Sequence, residues 1–133
     1  MAKILITEDE DALRSFVARA LRLDGHETYE AADGEQGLEK LQETSFDLLL
    51  SDIRMPVMDG IAATRAIRAL ERTHHRRRTP VVMVTANTTE AHHRLAAEAG
   101  CDGLVVKPVT LQTLLDGLSY GMAQSEAAMA EAV

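Results

Sequence analysis

Cysteine occurs once in this 133-residue chain, as Cys101, so no internal disulfide can form. A lone thiol suits a reducing compartment, and the expected location is the cytoplasm. Aromatic side chains make up only 3% of the residues, so a core must be assembled mainly from Leu, Val, Ile, Ala and Met. No apolar run approaches the roughly 20 residues that a membrane-spanning helix needs. No secretory leader is legible, because Met1 and Ala2 are followed by KILIT and then at once by acidic residues. Cations are outnumbered, 14 Lys and Arg against 21 Asp and Glu, for a formal net charge of −7. Phosphate backbones are held by clustered cations, so neither nucleic acid nor a membrane is the expected partner.

What is present is enough for one domain: a chain of this length with 46% hydrophobic residues buries a sizeable core. The pattern reads as strands alternating with helices. Strands are predicted at about 3–7, 27–31, 47–51, 81–84 and 103–106. Helices are predicted at about 11–24, from Gly34 onward, up to about 71, at 89–99 and at 110–123. Gly25 closes the first helix, and Pro56 and Gly60 break the stretch that follows the third strand. The runs FDLLLS and VVMV are apolar without alternation, as expected of parallel strands covered on both faces. Right-handed crossovers then leave a flavodoxin-like (βα)5 three-layer sandwich with strand order 2-1-3-4-5. Residues 1–124 form the domain, and the Ala/Glu-rich segment 125–133 either extends the last helix or frays, with a solvated tail as the expectation.

Polar residues stand at the ends of four of these runs: Glu8 and Asp9, Asp52, Thr85, and Lys107. In an open α/β sheet those ends share one edge, where ligands bind. Each residue alone is an ordinary cap or a solvated loop charge; four together are not readily a coincidence. Crowded carboxylates repel unless a cation sits among them, and Mg²⁺ takes oxygen ligands beside a phosphate. A carboxylate such as Asp52 can attack phosphorus to give an aspartyl-phosphate, with Lys107 and Thr85 as donors to the phosphoryl oxygens. Pro108 restricts the backbone of Lys107 and allows a cis bond.

With these residues in place, ILITEDE, DLLLSDIRMPVMDG, VVMVTA and GLVVKP resemble the CheY-like receiver domains of bacterial response regulators, over about residues 2–120. The resemblance implies that Glu8, Asp9, Asp52 and the backbone carbonyl of Arg54 bind Mg²⁺. It implies that Asp52 accepts a phosphoryl group from the phosphohistidine of a histidine kinase or histidine phosphotransfer protein. Thr85 is then the switch hydroxyl, Lys107 pairs with the phosphate, and the face made by the fourth helix, fifth strand and fifth helix signals to a protein partner. The molecule is expected to be a monomer or weak dimer, either stand-alone (CpdR- or DivK-like) or a receiver module of a hybrid kinase.

Two departures stand out. The family usually carries an aromatic residue three positions before the lysine, and here that residue is Leu104. Arg54 and Asn87 occupy positions that tune phosphoryl lifetime in the family. Three other readings compete. A phosphatase of the haloacid dehalogenase type wants an Asp two residues after its nucleophile, where Arg54 stands. A flavodoxin-like cofactor binder wants Ser, Thr and Gly after the first strand, where Glu8 and Asp9 would repel phosphate. A pseudo-receiver binding partners without phosphorylation would not need Asp52, Thr85 and Lys107. The basic run THHRRRT reads as an exposed loop, His92-His93 cannot share one helix face to hold a metal, and Cys101 reads as a packed thiol rather than a reactive one.

Overall fold

A computed structural model describes residues 2–52, 60–86 and 89–131, with side chains except at 52, 60 and 125–131. The element order is β1 (Lys3–Thr7), α1 (Asp11–Leu23), β2 (Glu27–Ala31), α2 (Gly34–Glu43), β3 (Leu48–Asp52), α3 (Gly60–Thr73), β4 (Val81–Thr85), α4 (Glu90–Ala99), β5 (Gly103–Val106) and α5 (Leu111–Glu131). The five strands form one parallel sheet in the order β2-β1-β3-β4-β5, as the alternation of elements predicts.

The continuous apolar runs have a simple origin. Successive strand residues point to opposite faces, so each run feeds two cores. Ile4, Ile6, Leu48, Leu50, Val82 and Val84 pack with Val17 and Leu21 of α1 and with Leu114 and Leu118 of α5. Leu5, Leu49, Val81 and Met83 pack with Leu41 of α2, Ile67 of α3 and Ala96 of α4. The result is the expected three-layer sandwich, with α1 and α5 on one side and α2, α3 and α4 on the other.

Local chemistry ends the helices. After α1 the His26 amide donates to Leu21 O and the Gly25 amide to Arg22 O, closing the last turn around Gly25. Asp33 caps α2 by accepting from the Gln36 amide at 2.8 Å, and Thr89 caps α4 by accepting from the His92 amide at 3.3 Å. Gly100 ends α4 with φ +105°, and its missing side chain also leaves room for the Arg68 stem, whose Cγ would lie 3.0 Å from an added Cβ.

Two observations differ from the sequence-based expectation. Helix α5 does not stop near residue 123 but runs to Glu131, so residues 125–131 continue the helix; Ala and Glu are strong helix formers. The basic run after α3 is not simply a solvated loop. Arg76 donates to the Leu41 and Gln42 carbonyls at the end of α2, and Arg78 joins a buried ionic cluster described below.

Candidate functional site

Strand register sets the site. Thr7 of β1 pairs with Ser51 of β3, so the next residues, Glu8 and Asp52, follow side by side at the same edge of the sheet. Asp52 in turn pairs with Val84 of β4, and Thr85 pairs with Val106 of β5. Lys107 follows directly, its amide donating to Thr85 O at 2.8 Å. Backbone pairing thus gathers Glu8, Asp9, Asp52, Thr85 and Lys107 along the carboxyl edge. The side chain of Asp52, Arg54 as a whole, and Asn87 lie outside the described residues.

The environments differ along this edge. Glu8 is buried at 4% exposure although it carries a carboxylate, whereas Asp9 is exposed at the mouth. A Glu8 carboxylate oxygen accepts from the Glu10 amide at 3.0 Å, and Arg14 donates to the Glu8 carbonyl at 2.8 Å. Burial of an ionised carboxylate is costly unless donors or a cation offset it. The donors gathered here are oxygens, without thiolate or imidazole in the predicted set, which is the chemistry of a hard cation such as Mg²⁺. Among the described residues alone, no group of three or more His, Cys, Asp or Glu is arranged around a common metal position.

Thr85 is buried at 3% exposure, and its hydroxyl lies 3.3 Å from Nε2 of His92 in the first turn of α4. Lys107 is half-buried, and its peptide bond to Pro108 is cis. Leu104 is half-buried and packs into the core on the α2–α3–α4 side of the sheet. His92 was not a candidate from sequence; only the path from β4 into α4 brings its ring to the sheet edge.

Residues 4–119 match the family model of the response regulator receiver domain. The chain belongs to the response regulator receiver family. This receiver is 44% identical over 113 residues to the Pseudomonas aeruginosa chemotaxis protein CheY, covering 84% of this chain and 89% of that one. A solved structure of the chemotaxis response regulator CheY4 of Vibrio cholerae superimposes with a TM-score of 0.83 at 35% identity, over 91% of this chain and 98% of that one. The receiver domain of a Pseudomonas aeruginosa sensor histidine kinase, solved with a magnesium ion coordinated in its active-site cleft, superimposes with a TM-score of 0.80 at 30% identity, over 92% and 98%. Other relatives are much longer: the receiver spans 46% of a Streptomyces coelicolor transcriptional regulatory protein and 5% of a Dictyostelium discoideum hybrid histidine kinase. No helix among the described residues is long and apolar enough to cross a membrane.

The opposite edge of the receiver's sheet holds a cluster that sequence reading missed. Asp102, just before β5, accepts from Arg68 at 2.9 Å, from Arg78 at 2.7 Å and from the Val81 amide at 2.9 Å. Arg68 also donates to Glu71 at 2.9 Å, to Thr79 O at 2.8 Å and to Gly100 O at 2.8 Å. These groups tie α3, β4 and the turn into β5 together. They stand at the amino ends of β4 and β5, away from the carboxyl edge, and their work is structural. A cleft of about 250 Å³ beside them is lined by Lys3, Phe46, Asp47, Arg76 and Arg77. A second, of about 290 Å³, lies between α1 and α5 against Phe16, Leu23 and Leu111. Neither includes a residue of the carboxyl-edge site.

Proposed function

We propose that this chain is a phosphorylation-dependent switch of a two-component phosphorelay, with Asp52 as the acceptor. In this reading a phosphohistidine of a histidine kinase or histidine phosphotransfer protein is the donor. Its N–P bond breaks as an Asp52 carboxylate oxygen forms a new O–P bond, and the imidazole nitrogen leaves. Glu8, Asp9, the Asp52 carboxylate and the Arg54 carbonyl would hold Mg²⁺, which when bound offsets charge on the phosphoryl oxygens. Lys107 supplies an ammonium to those oxygens, and Thr85 supplies a hydroxyl. Water later cleaves the acyl phosphate, returning the carboxylate and inorganic phosphate.

The observation that carries the reading is the register: the Thr7–Ser51 and Asp52–Val84 pairs bring the acidic residues and the acceptor to one edge. Membership of the receiver family adds independent support. Residues 1–124 are the switch unit, and 125–133 an appended segment. The output is a protein partner on the α4–β5–α5 face, where Leu95, Val106 and Tyr120 are 47%, 37% and 60% exposed. Phosphorylation shifts that face only insofar as one conformation makes better contacts with the phosphoryl group.

Beryllofluoride with Mg²⁺, a stable stand-in for the phosphoryl group, should bind the wild-type chain with chemical-shift changes at the carboxyl edge, and acetyl phosphate should label it. Asp52→Asn should abolish both. Labelling of the variant at the wild-type level would remove Asp52 from the role.

A further inference from the structure

We infer that His92 is a positioning residue of the switch: its imidazole holds the Thr85 hydroxyl in the unphosphorylated state and competes with the phosphoryl group for it. The inference rests on the reading of Asp52 as acceptor and adds a regulator to that site.

The geometry begins with the α4 cap. Thr89 accepts from the His92 amide at 3.3 Å, and the His93 amide donates to Thr89 O at 3.1 Å, so the first turn of α4 is closed at its cap. Helical side chains lean toward the helix amino terminus. A residue in the first turn therefore reaches back over the cap, and the His92 ring meets the Thr85 hydroxyl at 3.3 Å. Thr85 is only 3% exposed, so water has little access to that hydroxyl. Leu104, the β5 residue opposite Met83, has no polar group to take the place of the ring.

A threonine hydroxyl has one proton to donate. In the ring tautomer with Nε2 unprotonated, that proton goes to His92 and is not available to a phosphoryl oxygen on Asp52. Phosphorylation must then break the Thr85–His92 bond, which removes one link between the first turn of α4 and the sheet. One hydroxyl thereby links acceptor chemistry to the helix that carries Leu95 toward a partner. His93, the next residue, does not share this contact; its Nε2 is buried without a hydrogen-bond partner among the described residues.

The test is a beryllofluoride titration with Mg²⁺ of the full chain, followed by NMR. His92→Ala removes the competitor at a half-exposed helical position, where alanine favours the helix. It should tighten beryllofluoride binding about two- to tenfold, the range of one net hydrogen bond. In a Thr85→Val background the same substitution should have no effect. In the wild type, Nε2 of His92 should shift on beryllofluoride addition as it loses the hydroxyl. Unchanged or weakened binding in His92→Ala, or a silent His92 ring, would overturn the competition while leaving Asp52 as acceptor. Failure of the wild type to bind beryllofluoride at all would instead overturn the acceptor assignment and this inference with it.

Discussion

Removing the Asp102 carboxylate should cost more stability than any surface ion pair in this chain. The Asp102 side chain is 2% exposed and receives three donors, from Arg68, Arg78 and the Val81 amide. Arg68 is itself 8% exposed at its side chain, and Glu71 10%. The cluster is neutral as built, two guanidinium groups against two carboxylates, so Asp102→Ala leaves one positive charge in excess and an amide without its acceptor. Breaking a buried pair typically costs about 3–5 kcal/mol. Two features pull the value to the low end: Arg68 keeps Glu71, Thr79 O and Gly100 O, and the Arg78 side chain is 27% exposed and can take up water. We expect a loss of about 3 kcal/mol, a large share of the 5–15 kcal/mol that holds a domain of this size. In urea the midpoint should fall by on the order of 1–3 M at unchanged slope. Asp102→Asn, which keeps an oxygen for the Val81 amide, should fall between the two. Raised salt should not narrow the difference, because buried pairs are poorly screened. A midpoint shift near the value for an exposed pair, about 0–1 kcal/mol, would show that the cluster is not the clamp described.

Two further outcomes follow from packing and titration. A Cβ at Gly121 would stand well inside contact distance of Val82 Cγ2, and valine is stiff; Gly121→Ala should therefore cost about 1 kcal/mol net in thermal or urea unfolding, overpacking of about 1–3 outweighing the roughly 1 gained in helix propensity, and a stabilised variant would refute the close approach. Burial pushes the Cys101 thiol up to about 11, with Asp102 adding to the effect, so its rate with a disulfide reagent should keep rising through pH 9–10 where a free thiol levels off. The same shift makes the folded state lose stability as pH climbs from the free-thiol range toward 11, since the unfolded chain ionises first; a rate plateau near pH 9 would contradict the buried thiol.

The fold was legible because its signals are local and repeated. Strand runs such as KILIT and VVMV end in polar residues and are bracketed by helical periodicity, and parallel α/β topology leaves little freedom once the order of elements is known. The placement of Glu8, Asp9, Thr85 and Lys107 at one edge followed from the same rule. What stayed hidden depends on contacts between distant residues with ordinary local patterns. Arg68 occupies a position on α3 that reads as solvent-facing, and Arg78 sits in a run that reads as a loop; only the return of the chain at Gly100 and Asp102 buries both. Helix α5 has weak apolar periodicity past Leu118, so its continuation to Glu131 rests on propensity rather than on a pattern. Thr85 and His92 are seven residues apart with a loop between them, a spacing that predicts no contact in either a strand or a helix.

The two edges of the sheet are built differently. At the amino ends of β4 and β5 the ionic cluster fixes α3 and the turn into β5. On the far face, the side-chain-free surfaces of Gly117 and Gly121 seat α5 directly against Val105 and Val82. At the carboxyl edge one link between the first turn of α4 and the sheet is the 3.3 Å contact between Thr85 and His92, a bond worth roughly 1 kcal/mol net. A perturbation of a few kcal/mol at that edge is comparable with the roughly 3 kcal/mol expected of the ionic cluster and larger than the contribution of the Thr85–His92 bond.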